Sequence, residues 1–335
     1  MNHLLVIRLS ALGDAAILAP VVRNYATANP DVRFTVAAPP MLEPLFCGMA
    51  PNVDFLGVKK KQSSQNIYRQ LRDVGADAVA DMHRVNRVNR ALVMLWIHEM
   101  LHLHFHFRIR HLHKGRLSRL MVLKHLSRKA RRPQYLRYGD VFHRLGLTKA
   151  TEIPCKSDSS PAQTLTNPTI GVAPFSQHEG KVWPLEYTAQ LCRMLAAQGC
   201  QVLLFGSRDE APQLEAIASD SDHITSMAGK LSFQEELETI GRLTLMVSMD
   251  SANMHFASAV GTPVVSIWGA THPDFGFYGY RQNTANALCA HLPCQPCSAY
   301  GQLPCRYGDY RCMHAITPQQ VQKRINENID IQHEQ

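Results

Sequence analysis

Four short stretches place acids, a lysine, hydroxyls and glycines where strands should end, the edge at which doubly wound sheets hold their ligands. In RLSALGD, Arg8 to Asp14, an apolar strand from His3 to Leu9 runs into Gly13 and then Asp14. Gly13 permits close backbone approach. Asp14 has two readings, the N-cap of the next helix or a general base. In FSQHEGKVWP, the strand Thr169 to Ala173 leads to Ser176, a hydroxyl donor, and Lys181, a point-charge phosphate binder; the plainer reading is an exposed loop. In FGSRDE, Gly206 lets a ligand approach the backbone, and Glu210 either accepts ribose hydroxyls or favours a helix N-terminus. In SMDSANMHFASAVGTPVVSIWG, Ser248 to Gly269, Asp250 ends a strand and the helix Asn253 to Val260 follows. The amides of Ser251, Ala252, Asn253 and Met254 then face outward, a cradle for a diphosphate or merely an ordinary βαβ turn.

Two further patterns bear on metals. HEMLH, His98 to His102, matches the HExxH form of zinc proteases, but no acid lies between Glu99 and Asp140 to serve as third ligand, and six histidines between His98 and His113 make a chance match easy. An amphipathic, weakly cationic helix is the better expectation. Cys294, Cys297, Cys305 and Cys312 form CxxC followed by two wider intervals, which permits a four-thiolate zinc site but lacks the paired-knuckle form; unligated thiols are preferred. The other five, Cys47, Cys155, Cys192, Cys200 and Cys289, are expected as buried thiols. Neither G-x-G-x-x-G nor a Walker pattern accompanies the strand ends, which removes support from dehydrogenase and P-loop readings.

The elements that must position these residues form two β/α series. The first runs through strands at His3 to Leu9, Arg33 to Ala37, Val53 to Gly57 and Ala78 to Asp81, with a helix from Asp14 to Ala28. The second runs through strands at Thr169 to Ala173, Gln201 to Phe205 and Leu245 to Ser248, with helices at Leu185 to Gln198, Ala211 to Ala218 and Phe233 to Leu243. Alternation of this kind implies parallel sheets. The polar stretch Lys156 to Asn167 reads as the linker, and a helix from Pro318 to Asn328 closes the chain. Over 335 residues this predicts two domains, 1–160 and 161–316, with 317–335 packing back on the first.

Net charge is +8 and unevenly placed: Arg84 to Arg132 holds thirteen Lys or Arg against the single acid Glu99, a local net of +12. Such a field suits a phosphorylated glycolipid, an acidic membrane surface or nucleic acid. No apolar run approaches the ~20 residues of a spanning helix, and Arg8 and Asp14 interrupt what a signal peptide would continue, so a cytoplasmic location is expected.

RLSALGD, the Lys-x-Trp-Pro loop, FGSRDE and DSANMHFASAVGTPVVSIWG occur in one order, and together they resemble glycosyltransferase family 9, the heptosyltransferases of lipopolysaccharide core assembly. The resemblance implies a GT-B fold, two Rossmann-like domains with parallel sheets facing a central cleft. It also implies inverting transfer from an ADP-heptose-type donor to a phosphorylated lipid-linked acceptor, without metal or other cofactor, at the cytoplasmic face of the inner membrane. In that reading Asp14 is the base, Lys181 and the amides from Ser251 to Met254 steady the leaving diphosphate, and Glu210 binds ribose. Met227 to Gly229 line the base pocket, Asp250 holds sugar hydroxyls or fixes the turn, and His255 touches sugar or phosphate. HKGRLSR, with Lys114, Arg116 and Arg119, resembles a basic acceptor-binding element, joined by Gly13. A nucleic-acid-binding protein on a Rossmann scaffold is the alternative from another class; the basic segment lacks the interleaved aromatics of single-strand readers, so no nucleic acid is expected.

Overall fold

A computed structural model describes residues 1–126, 130–149 and 168–329. Its contacts divide the chain into two units. One holds Met1–Lys114 and residues 134–149; the other holds the described residues of Gly115–Pro133 and 168–329. The expected boundary is therefore corrected: the stretch after Lys114 leaves the first unit, and the linker predicted at Lys156 to Asn167 lies outside the described residues.

The first unit is built on a five-stranded parallel sheet of β1 (His3–Ile7), β2 (Arg33–Ala38), β3 (Val53–Gly57), β4 (Ala78–Asp81) and β5 (Arg108–His111), in the order β3-β2-β1-β4-β5. Alternate residues of a strand face opposite ways. Leu5, Ile7 and Val79 thus pack on helices Ser64–Arg72 and Asn86–Leu101 through Ile67, Leu71, Val88, Leu92 and Leu95. On the other face Phe34 meets Phe142 of helix Gln134–His143, which in turn meets Tyr25 of helix Leu12–Ala28. Because both faces are covered, β1 is apolar at nearly every position rather than alternating.

The second unit carries six parallel strands: β6 (Thr169–Ala173), β7 (Gln201–Leu204), β8 (Ile224–Ser226), β9 (Leu245–Met249), β10 (Val264–Trp268) and β11 (Ala287–Cys289), ordered β11-β10-β9-β6-β7-β8. Val172, Val202, Val247 and Val265 form one core with Leu191, Leu195 and Leu214. The closing helix, Pro318–Asn326, belongs to this same core, with Val321 and Ile325 wholly buried in it. Within this unit its apolar stripe completes the face covered by helix Leu185–Ala197.

In each sheet the chain builds outward on one side and then crosses to the other, between β1 and β4 in the first unit and between β6 and β9 in the second. The strand ends beside such a reversal diverge and leave room for a ligand.

Candidate active site

In the first unit the reversal point holds an ion-paired carboxylate. Helix Leu12–Ala28 begins with Ala11 at the N-cap, so Asp14 is not the cap; it stands in the first turn, where its charge favours the helix dipole. Gly13 lies beside it within the same turn. The Asp14 carboxylate pairs with the guanidinium of Arg8, which follows β1, and Arg8 also donates to the carbonyl of Met82, which follows β4. Tyr138 donates to the Asp14 backbone and side-chain oxygens at 3.3 Å each. Burial raises the Tyr138 pKa, so the phenol stays a donor. The Asp14 side chain keeps 22% of its exposure against 9% for Arg8, so the carboxylate is reachable while its counter-ion is not.

Next to this pair, Ser10 and His83 share a 2.7 Å hydrogen bond between Oγ and Nε2. Burial, joined by the charge of Arg8 and more weakly of Lys114, pushes the His83 imidazole down to about 4. Below it Asp81 is wholly buried, which opposes its charge, yet His111 Nδ1 at 2.9 Å and the amides of His83 and Arg84 hold its carboxyl below the usual range. His83 Nδ1 and Arg8 Nε have hydrogen-bonding capacity that no protein group uses.

A pH prediction follows from His83. An unfolded histidine takes a proton near pH 6.5, whereas the native one does so only near 4, so in that window the unfolded chain binds more protons and stability falls as pH drops. The expected loss from this residue is on the order of 2–3 kcal/mol between neutral pH and pH 4. His83→Gln should flatten that part of the profile, measured by denaturant unfolding at stepped pH; a difference curve without slope between pH 4 and 6.5 would contradict it.

The second unit gathers its predicted residues at the ends of four adjacent strands. After β6, Ser176 Oγ donates to the Asp250 carbonyl at 3.3 Å, and Lys181 Nζ lies 3.3 Å from Asp250 Oδ2. Thr271, after β10, donates to that same carboxylate oxygen at 2.7 Å. Asp250 thus fixes the lysine, with both side chains 13% exposed. The stem of Lys181 lies along Gly301, where a Cβ would meet its Cγ at 2.8 Å and its Cδ at 2.9 Å. With φ at +88° as well, only glycine fits there without strain. Helix Ala252–Val260 follows Asp250 with Ser251 at its N-cap, but the Ser251 hydroxyl bonds Ser248 rather than the helix. No side chain caps this helix, and the first-turn amides of Ala252, Asn253 and Met254 are ones that helices leave without an internal acceptor. The Ser251 amide, expected among them, instead donates to Met249 O at 2.7 Å. Ser251 to Asn253 are half-exposed, while Met254 and His255 are buried.

Gly206 and Glu210 sit after β7, and Met227 and Gly229 after β8. The Glu210 carboxylate accepts the Ser207 amide at 2.6 Å in a capping box, so one of its oxygens serves the turn and the other remains for a ligand. Gly206 lies against Leu214 and Glu210, and Gly229 against Arg208, so the two loops form one wall.

The basic segment divides. Lys114 belongs to the first unit, Arg116 and Arg119 to the second. Arg119 stacks over Tyr300 and Phe277, with its guanidinium 4.9 and 5.6 Å from the ring centres, and also donates to the Tyr300 hydroxyl. Arg131 is buried and donates to Gly115 O, Ser118 Oγ and Phe275 O, which ties helix Arg116–Leu123 to the second unit. Arg116 is exposed.

Among the described residues no three His, Cys, Asp or Glu side chains converge as metal ligands. The four clustered cysteines therefore do not assemble the zinc site that their spacing permits, and in HEMLH the His98 and His102 rings stack at 4.2 Å while Glu99 bonds His98 and His104. Of the other thiols, Cys192 and Cys200 are buried as expected, Cys289 is half-buried, Cys47 is exposed and Cys155 lies outside the described residues.

Sequence reasoning missed Arg8, His83, Asp81, Tyr138 and Thr271 as site residues. Arg8 alone carried a signal, its place in RLSALGD; the rest reach the site from distant segments.

Comparison with known proteins bears on the family and the fold. The profile of glycosyltransferase family 9 (heptosyltransferase) matches residues 66–307, more than two thirds of the chain. Lipooligosaccharide heptosyltransferase 2 of Haemophilus influenzae is 34% identical over 114 residues, covering 32% of this chain and 33% of that one. Lipopolysaccharide heptosyltransferase 2 of Salmonella typhimurium is 32% identical over 114 residues, with the same shares, so the match spans about a third of the length of these curated relatives. Among solved structures, a family 9 glycosyl transferase from Veillonella parvula superposes with a TM-score of 0.71 at 19% identity over 98% of this chain and 97% of that one. E. coli ADP-heptose LPS heptosyltransferase II gives 0.66 at 21% identity over 97% and 98%. These likenesses establish the GT-B fold, with its two Rossmann-like units. The chain belongs to glycosyltransferase family 9.

Proposed function

We propose that the chain is an inverting glycosyltransferase that moves a heptose or related sugar from an ADP-sugar to a phosphorylated, lipid-linked saccharide. The observation that carries this reading is the matched pair of reversal points, a reachable carboxylate in one unit and a lysine beside uncapped helix amides in the other. Family membership and the names of the relatives, all heptosyltransferases, support the donor class.

In this mechanism Asp14 takes the proton of an acceptor hydroxyl as that oxygen attacks the anomeric carbon. The bond from that carbon to the diphosphate oxygen breaks on the opposite face, and the electron pair leaves with ADP. Lys181 and the amides of Ala252, Asn253 and Met254 receive the charge that develops there, fixed in place before reaction. Arg8 holds the Asp14 carboxylate in place through their ion pair. The free oxygen of Glu210 accepts ribose hydroxyls, Met227 and Gly229 border the base, and Ser176 lines the phosphate edge, where its hydroxyl can turn from the Asp250 carbonyl to a phosphate oxygen. Asp250 acts on Lys181 rather than on the sugar. Lys114 and Arg116 supply charge for the anionic acceptor, and Arg119 shapes the second unit's rim through its aromatic partners.

A thermal-shift series with ADP, UDP, GDP and CDP tests the donor. Selective stabilisation by ADP is expected, about 2.7 kcal/mol at a hundredfold excess over Kd. Equal responses to all four, or none, would refute the assignment. Steeply salt-dependent binding of RNA or DNA would instead favour the nucleic-acid reading.

A further inference from the structure

Helix Asn86–Leu101 is apolar on two faces. Val88, Ala91, Leu92 and Leu95 bury one against the sheet. The opposite face presents Val93, Trp96, Ile97 and Leu101, of which Trp96 and Ile97 are 48% and 47% exposed and Leu101 is 76% exposed; Leu103 and Phe105 continue the patch in the loop. In the first unit only one other large apolar side chain, Met41, is exposed among the described residues, so the apolar surface is concentrated here. Contiguous exposed patches of this kind mark contact surfaces.

The surroundings specify the contact. From Arg84 to Lys114 there are six Lys or Arg and the single acid Glu99, whose two carboxylate oxygens face His98 and His104. Between the helix and the edge strand β5 runs a groove of about 480 Å³, lined by Val93, Trp96 and Phe107 and by Arg84, Arg108 and Arg110. Apolar side chains flanked by cations, with a tryptophan between them, fit the boundary between acyl chains and phosphates. A second copy of the chain meeting this face would set the same positive charges against each other.

We propose that this face docks on an anionic lipid bilayer, with Trp96, Ile97, Leu101 and Phe105 entering the headgroup boundary and Arg84, Arg108 and Arg110 facing lipid phosphates. It adds a named surface to the peripheral membrane contact that a lipid-linked acceptor requires, and it does not depend on the transfer chemistry.

Flotation of the full chain with phosphatidylethanolamine/phosphatidylglycerol vesicles, without nucleotide or acceptor, tests it. Binding is expected, weakened by salt and absent on phosphatidylcholine vesicles. Trp183 and Trp268 are buried, so an emission shift to the blue on binding reports Trp96. Ile97→Gln with Leu101→Gln should lower partitioning about tenfold or more while leaving ADP stabilisation and melting temperature intact. No binding to anionic vesicles, unchanged binding by the double variant, or an unmoved Trp96 emission would overturn the proposal. So would a concentration-dependent dimer broken by the same variant, which would give the face to a second copy. Since vesicle binding is read without sugar transfer, its failure leaves the glycosyltransferase reading standing, and loss of ADP selectivity leaves the docking face standing.

Discussion

Asp14→Asn is expected to abolish sugar transfer, lowering kcat by about 10²–10⁴, the range of a positioned general base, while ADP still stabilises the protein as it does the wild type. The asparagine keeps size and helix position but cannot take the proton. The separation of effects rests on architecture: Asp14 lies in the first unit, and every residue proposed to hold the nucleotide lies in the second. Stability should also fall, because Arg8 loses its counter-ion where it is nearly buried, and removing one member of such a pair costs roughly 3–5 kcal/mol at full burial and less here, where Asp14 is partly exposed. Arg8→Met distinguishes that loss from chemistry: it leaves the carboxylate but not its orientation, so it should retain more activity than Asp14→Asn at similar stability. Transfer at near wild-type rate by Asp14→Asn would reduce Asp14 to a partner for Arg8.

The strands that position this site were legible where an apolar run is bounded by turn residues. Val53–Gly57, Ala78–Asp81 and Thr169–Ala173 appear as expected to the residue. β5 did not, because an edge strand reading Arg-Ile-Arg-His has half of its positions charged, and β8 and β11, with three residues each, fall below any periodic signal. Asp14 and Lys181 could be read as candidates because a polar residue just past a parallel strand has few places to go but the ligand edge. Their pairings could not, even where, as with Asp250, the partner was itself a candidate, since Arg8 with Met82, Asp14 with Tyr138 and Lys181 with Asp250 join segments 69 to 124 residues apart. The same limit explains the misplaced boundary. Helix Arg116–Leu123 joins the second unit through Arg131 and the backbone oxygens of Asp274 and Phe275, contacts that leave no trace in local composition.

Lys181→Ala is the second large effect expected, a fall of about 10²–10³ in kcat if its charge meets the departing diphosphate. It differs from Asp14→Asn in also weakening ADP, because the same ammonium attracts the product. Asp250→Asn should act through the lysine: the ion pair at 3.3 Å and the Thr271 bond at 2.7 Å both depend on that carboxylate. A smaller loss is expected, and the double variant should resemble Lys181→Ala alone, since residues that act as one unit are not additive. Gly301→Ala supplies the third arm. It keeps every charge but sets a Cβ within 2.8 Å of the lysine stem at a backbone angle that disfavours it, so kcat should drop in the direction of Lys181→Ala although the ammonium survives. If Lys181→Ala and Asp250→Asn instead add independently, Asp250 contacts substrate on its own account and the turn is a sugar site. If they do not add and Gly301→Ala also lowers kcat, the position of one ammonium governs this half of the reaction, and the aspartate and the glycine serve to place it.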